Sequence, residues 1–235
     1  MIYIFDVDGT LTPSRGVIDN DFKNWFIEFS KRNRVCLVTG SDYAKTLEQV
    51  GKEVLDHVEF SFNCSGNAIY VQHDLVYEND WKCPDDLWQF LENELYQSPY
   101  VYKFGKHFEE RIGMLNFSIV GRNAQGADRT DYYNWDKEHS ERIRLAETIN
   151  KRWPDVQAVV GGETGVDIFE RGTDKSQILN YLKSGELVFF GDRMDPNGND
   201  YSLAKAIIDK DRGRCYNINS WTDTFTILKS IWLNV

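Results

Sequence analysis

The sequence predicts an α/β fold: a doubly wound, mostly parallel sheet interrupted by an inserted α+β domain. Three observations carry this. Short apolar runs at Ile2–Phe5, Val35–Val38 and Leu187–Phe190 each end in Asp, Gly or Thr, as buried parallel strands do. Stripes of large apolar residues at helical spacing separate the first runs. The same alternation returns near the C-terminus, after a middle stretch that lacks it.

The elements follow in order. After the strand Ile2–Phe5, the residues Phe22, Trp25, Phe26 and Phe29 share one helical face, with Asp19 or Asn20 as the cap and Lys31-Arg32 suited to the last turn. Val35–Val38 is a second strand; it runs into Thr39-Gly40-Ser41-Asp42, where Asp42 can cap another helix. Glu59–Phe62 is a third, short strand, and residues 67–77 read as a hairpin turning near His73-Asp74. Pro84 opens a helix bearing Leu87, Trp88, Leu91 and Leu95. Stretches 100–104, 107–111 and 114–120 read as strands, and 123–128 as a polar loop that can border the cleft. A charged helix over 136–152 carries Ile143, Ala146 and Ile149 on one side and stops at Pro154. Strands near 156–160 and 166–169 follow, then a helix from Lys175 with Ile178, Leu179 and Leu182. The strand Leu187–Phe190, a helix with Leu203, Ala204 and Ile207, a strand at Cys215–Ile218 and a helical stripe of Trp221, Phe225, Leu228 and Trp232 complete the chain. Residues 1–79 and 175–235 therefore predict one Rossmann-like core, and 80–174 an α+β cap.

The totals narrow the class of function. With 235 residues, 41% hydrophobic and 27% charged, the chain can bury a substantial core and does not read as disordered. A net charge of −10 argues against nonspecific binding of nucleic acid or of an anionic membrane, while leaving room for a local basic pocket that takes a small anion. No apolar run approaches the roughly 20 residues of a membrane helix, and Asp6 comes too early for a signal peptide. Cys36, Cys64, Cys83 and Cys215 lack metal-ligand spacing and read as reduced thiols of a cytoplasmic protein. His57, His73, His107 and His139 likewise lack ligand spacing and read as structural or solvated.

Open parallel sheets place their sites beyond the carboxyl ends of the strands. Three strand ends here carry phosphate-suited residues: Asp6-Val7-Asp8-Gly9-Thr10, Thr39-Gly40-Ser41 and Gly191-Asp192. Asp6 and Asp8 are carboxylates two residues apart, which need a cation or a proton between them if they are brought close. Mg²⁺ takes oxygen ligands, and Asp192 could add another carboxylate. Asp6 could act as a nucleophile forming an aspartyl-phosphate, with Asp8 as proton donor and acceptor. Taken alone, Asp-Val-Asp-Gly could also be a solvated turn or half of a calcium loop. The apolar Leu11, Pro13 and the absence of a closing Glu argue against the calcium loop.

Phe5-Asp6-Val7-Asp8-Gly9-Thr10-Leu11-Thr12 resembles the first motif of the haloacid dehalogenase-like phosphotransferases. Further stretches resemble the eukaryotic-type phosphomannomutase family: Thr12-Pro13-Ser14-Arg15, Gly40-Ser41-Asp42, Gly113-Met114-Leu115-Asn116, Val120-Gly121-Arg122, Asp167-Ile168-Phe169, Asp174-Lys175, Phe189-Phe190-Gly191-Asp192 and Pro196-Asn197-Gly198-Asn199-Asp200. They occur in order along nearly the whole chain. The resemblance implies that Asp6 carries the phosphoryl group and that Asp8 is the acid/base. It implies Mg²⁺ held by Asp6, the Asp8 main-chain oxygen and Asp192, with Asn199 and Asp200 nearby. Thr39 or Ser41 would bind the transferring phosphate, and Lys175 would neutralise charge beside the nucleophile. Arg15, Arg111 and Arg122 would face the substrate, and Asp167 would accept hydrogen bonds from sugar hydroxyls. The implied reaction interconverts hexose 6- and 1-phosphates, with a hexose 1,6-bisphosphate as activator. The implied assembly is a homodimer through the cap.

Most of the departures fall in the cap, and one in the core. Phe104 stands where the family has an Arg, Gly165 where it has a substrate-facing Ser, Ile112 in place of Asn in Arg-Asn-Gly-Met, and Cys64-Ser65-Gly66-Asn67 replaces the usual Glu-Asn-Gly of the core. An intact catalytic core with an altered cap favours phosphoryl transfer more firmly than any one sugar. The alternative expectation is a sugar-phosphate phosphatase, in which water activated by Asp8 attacks the aspartyl-phosphate.

Overall fold

The computed structural model describes residues 1–196 and 198–232; Asn197 and the Trp232 side chain, both named above, lie outside the described residues. The chain begins β1 (Ile2–Phe5), α1 (Asn20–Ser30), β2 (Arg34–Val38), α2 (Tyr43–Val50), α3 (Lys52–Leu55), β3 (Phe60–Asn63), then the hairpin β4 (Ala68–Val71) and β5 (Asp74–Glu78). The middle holds α4 (Asp85–Gln97), β6 (Phe108–Arg111), β7 (Met114–Phe117), α5 (Ala127–His139), α6 (Glu141–Arg152), β8 (Val156–Gly161) and β9 (Gly165–Glu170). A 3-10 turn (Lys175–Asn180), β10 (Leu187–Gly191), α7 (Tyr201–Asp209), β11 (Gly213–Asn217) and α8 (Trp221–Trp232) follow.

Two sheets form. The larger has the order β11-β10-β1-β2-β3-β4-β5. Its first five strands pair in parallel, and the β4–β5 hairpin adds an antiparallel edge. β1 is central because both its faces are apolar. Tyr3 and Phe5 join Phe22, Phe26 and Phe29 of α1 and Leu228 of α8 on one side. Ile2 and Ile4 join Ile178, Leu203 and Ile207 on the other. This period-2 division is what two-sided burial of a parallel strand requires. Phe5 stacks on Phe190 at 5.0 Å and meets Phe26 edge-on at 5.1 Å, so the strand that leads into Asp6 is anchored by aromatic packing. Capping follows the sequence: Asp19 accepts from the Asp21 and Phe22 amides, and Asp42 from that of Lys45.

The smaller sheet, β6-β7-β9-β8, is antiparallel throughout. One face buries Leu115, Phe117, Val166 and Ile168 against Leu87 and Leu91 of α4, Tyr132 of α5, and Leu145 and Ile149 of α6. The alternate residues point the other way. Register aligns Glu109, Asn116 and Asp167 across three strands, so the pleat presents a polar row on the face away from that helical layer.

Several expectations need correction. Residues 100–104 form no strand: Phe104 donates its amide to Val120 O at 2.8 Å, but the contact does not extend into a ladder. β7 stops at Phe117, where Ser118 turns the chain and its carbonyl accepts from the Gly121 amide. The helix expected over 136–152 is two helices broken at Ser140, a residue in the left-handed region (φ 54°). The first of them begins at Ala127, inside the expected loop; its polar face offers little periodic signal, burying only Tyr132 and Asp136. Ile143 is at the surface, and Arg142, Leu145, Ala146 and Ile149 form the inner face. The helix expected from Lys175 is a 3-10 turn, which still buries Ile178 and Leu179.

Candidate active site

The site begins at the carboxyl end of β1. Asp6, 3% exposed, directs Oδ1 to Lys175 Nζ at 2.6 Å; the same ammonium reaches Asp200 Oδ1 at 2.7 Å. Lys175 comes from the 3-10 turn where the chain re-enters the core, and Asp200 from the loop before α7. Asp200 Oδ2 in turn accepts from the Arg193 amide at 3.1 Å. Burial, opposed by Lys175, and the neighbouring Asp200 and Asp192 carboxylates hold the Asp6 carboxyl well above its usual range. Burial lowers and the two partner carboxylates raise the Lys175 ammonium, with a net rise, so it stays charged. Burial, with Asp200, pushes Asp192 up to about 6.

Asp6, Asp192 and Asp200 bring one oxygen each within 4.8 Å of one another. When ionised, the three carboxylates outweigh the one ammonium, and their mutual repulsion in a largely buried place is part of what raises Asp6 and Asp192. A divalent cation would offset that repulsion, and the hard oxygen donor set suits Mg²⁺. Gly9 admits Asp192 to the cluster: its φ is +81°, and a Cβ there would lie 2.5 Å from Asp192 Oδ2.

Asp8 points elsewhere. Its Oδ1 accepts from the Arg15 amide at 2.6 Å and from Gln49 Nε2 at 2.9 Å, and its Oδ2 from Ser41 Oγ at 3.3 Å. Its side chain is therefore outside the acidic cluster but in the wall of the same cavity. Thr39 lines that cavity as well, and its Oγ1 accepts from the Ser41 amide at 3.1 Å.

The cavity, of about 540 Å³, lies between the two sheets. Loops beside the large sheet contribute Asp6, Asp8, Arg15, Thr39, Ser41, Asp192 and Asn199; the small sheet and the loop after β7 contribute Arg111, Arg122, Gly165 and Asp167. Arg111 Nη1 donates to Gly40 O at 2.7 Å, and Nη2 reaches Glu109 at 3.2 Å. Arg122 pairs with that same Glu109 carboxylate. Asp167 accepts from Asn116 Nδ2 at 2.6 Å. A Cβ at Gly165 would lie 2.5 Å from Asn116 Nδ2, so the glycine makes room for the amide that orients Asp167. Phe104 and Ile112 pack at the edges of apolar clusters in and beside the small sheet.

A model of the family "Eukaryotic phosphomannomutase" matches residues 22–234. The chain belongs to the eukaryotic phosphomannomutase family. A phosphomannomutase of Saccharomyces cerevisiae is 33% identical over 244 residues, covering 98% of this chain and 94% of that protein. One of Triticum aestivum is 32% identical, covering 100% and 96%. Among solved structures, an IMP-bound IMP-nucleotidase of Plasmodium falciparum aligns with a TM-score of 0.64 at 16% identity, covering 99% of this chain and 68% of that one. A haloacid dehalogenase-like hydrolase of Bacteroides thetaiotaomicron aligns with a TM-score of 0.61 at 13% identity, covering 98% of each chain. These two likenesses show the fold alone, an α/β architecture around a mostly parallel sheet.

The cavity also holds three cationic residues and a tyrosine that the sequence reading passed over. Arg129 and Tyr133 reach it from α5, Arg193 from the loop after β10, and Lys45 from α2. Arg129 pairs with Glu163 at 3.0 Å. The clue was proximity to Gly121-Arg122 in the chain, but without a helix over 127–139 nothing aimed Arg129 inward. The histidines have structural partners: His57, His107 and His139 each bond a backbone carbonyl, and His73 sits between Tyr43 and Asp56. No described helix is long and apolar enough to cross a membrane.

Proposed function

We propose that the chain interconverts mannose 6-phosphate and mannose 1-phosphate by phosphoryl transfer through Asp6. The observation that carries this reading is the opposition across one cavity of the buried Asp6 carboxylate and the guanidinium groups of Arg111, Arg122 and Arg129. A mutase must hold one phosphate at the nucleophile and a second one away from it, and guanidinium forks suit the second task. Membership of the phosphomannomutase family and the names of the relatives support the sugar.

In this reading Asp6 attacks phosphorus and carries the phosphoryl group, while Lys175 offsets charge beside it. Asp8, held by Arg15, Gln49 and Ser41, moves the proton to or from the sugar hydroxyl. Thr39 or Ser41 binds the transferring phosphate, with Ser41 already bonded to Asp8 and Thr39 nearer the strand end. Arg15 lies at the core mouth, and Asp167 accepts from sugar hydroxyls. Asp6, the Asp8 main-chain oxygen and Asp192 would hold Mg²⁺, with Asn199 and Asp200 beside them; the ion supplies charge neutralisation at the phosphate. Residues 80–174 act as the cap, closing over the site and shielding it from water. A hexose 1,6-bisphosphate primes Asp6, two copies pair through the cap, and the four unpaired thiols fit a reducing cytoplasm.

The test is incubation with Mg²⁺, mannose 1-phosphate and a trace of glucose 1,6-bisphosphate. Mannose 6-phosphate without stoichiometric free phosphate is the expected product. Free phosphate alone would make the chain a phosphatase, the reading that the altered Phe104 and Gly165 positions favour. An Asp6→Asn variant with full activity would remove the nucleophile from the account.

A further inference from the structure

The small sheet meets the large-sheet layer through contacts that differ in kind, among them the Arg111–Gly40 bond already described. Near the chain crossings the contact is apolar and buried: Cys64 and Ala68 pack with Met114 and Phe169. At the other end of β9, the β8–β9 turn reaches the loop after β10 through a guanidinium. There Arg193 Nη1 donates to the Gly162 carbonyl at 3.3 Å.

The acceptor in that contact is built into the small-sheet layer. Gly162 O also accepts from Arg142 Nη1 at 3.1 Å, and Arg142 is paired with Asp136 at 2.7 Å. Both members of that pair are buried, at 4% and 5% exposure. A carbonyl oxygen has two lone pairs. One is taken by a fixed, buried ion pair, and the other faces Arg193. The donor is different in kind: the Arg193 side chain keeps 29% of its surface in solvent. This contact can therefore part and re-form while the buried pair and the apolar contact near the crossings stay intact.

We propose that Arg193 is a positioning residue that fastens the β8–β9 turn at the rim of the cavity that holds Asp6, and that this fastening decides whether the phosphoryl group passes to sugar or to water. The proposal rests on the phosphotransferase reading above. In transfer, a sugar hydroxyl oxygen attacks phosphorus, Asp8 takes the proton, and the bond from phosphorus to the Asp6 oxygen breaks to release the carboxylate. Water attacking the same phosphorus balances identically and yields inorganic phosphate. While the bisphosphate reorients, an unfastened rim admits that competitor.

The experiment uses the full chain with Mg²⁺, mannose 1-phosphate and glucose 1,6-bisphosphate, and measures mannose 6-phosphate and inorganic phosphate together. In Arg193→Ala the phosphate released per isomerisation should rise about three- to tenfold, the loss expected of one ordinary, solvent-exposed hydrogen bond. Arg193→Lys, with one donor head on a similar stem, should recover part of the wild-type ratio. Amide exchange at residues 161–165 should quicken in Arg193→Ala, while exchange in β1 stays as in the wild type. An unchanged ratio overturns the proposal. So does a raised KM with an unchanged ratio, because Arg193 would then hold substrate and not the turn. If the wild type fails to isomerise, the functional reading fails, and the exchange comparison still decides whether Arg193 fastens the turn. Should the alanine variant lose its cooperative melt, Arg193→Met keeps the stem packing and takes its place.

Discussion

Lys175→Met probes the electrostatic balance at the base of the site. The ammonium is 1% exposed and bonds Asp6 at 2.6 Å and Asp200 at 2.7 Å. Methionine keeps the length and much of the volume, so packing changes little. What goes is the positive charge between two buried carboxylates. Two charge-assisted bonds at about 1.5–3 kcal/mol each suggest a loss of roughly 3–6 kcal/mol. Breaking buried ion pairs by removing one partner costs about 3–5 kcal/mol, which agrees. Urea unfolding at neutral pH in EDTA, where no divalent cation compensates, reads this directly. Adding Asp200→Asn to the lysine variant should cost less than the two single changes summed, by about 1–3 kcal/mol, because the second change removes a charge that the first left unpaired. A Lys175→Met penalty below about 1 kcal/mol, or strict additivity in the cycle, would refute the claim that Lys175 offsets these carboxylates.

Other expectations follow from neighbouring geometry. Burial pushes the Glu109 carboxyl up, but Arg111 and Arg122 pull it below its ordinary value, so its ion pairs stabilise the fold above about pH 4.3 and are lost as pH falls through the lowered folded value. Glu109→Gln should flatten the acid limb of the stability curve, measured by melting temperature from pH 6 to pH 3. Gly165→Ser should destabilise by about 1–3 kcal/mol, since its Cβ would sit 2.5 Å from Asn116 Nδ2 and disturb the bond to Asp167; chemical denaturation reads this. Gly9→Ala places a Cβ 2.5 Å from Asp192 Oδ2 at a φ of +81°, and should weaken Mg²⁺ binding measured by calorimetry by about tenfold or more, alongside lower stability.

The core was largely legible because its signals are local. Asp19 and Asp42 cap the helices they precede, and the alternation Ile2, Tyr3, Ile4, Phe5 sends side chains to two buried faces. The hairpin near His73 was readable for the same reason, since Gln72 and His73 adopt φ of 47° and 73° between two short strands. The insert was less legible. α5 has no apolar stripe, so its helical state rests on a few tertiary contacts such as Tyr132 against Tyr100 and the Asp136–Arg142 pair. Residues 100–104 have strand-like composition, but the neighbouring chain bends at Ser118 and leaves them no partner to ladder with.

By itself the sequence determined the strand ends and their chemistry: which loops carry Asp6, Asp8, Thr39 and Asp192, because backbone periodicity and turn residues are properties of neighbours in the chain. Tertiary structure alone decided which of those groups face one another. Asp6 and Lys175 are 169 positions apart and meet only because β10 lies beside β1. Asp8, two residues from Asp6, is drawn away from the acidic cluster by Arg15 and Gln49. Arg129, unremarkable in the chain, turns into the cavity because α5 packs on the small sheet through Tyr132. Distances of this kind are fixed by packing, and packing is a sum over partners that sequence order does not list.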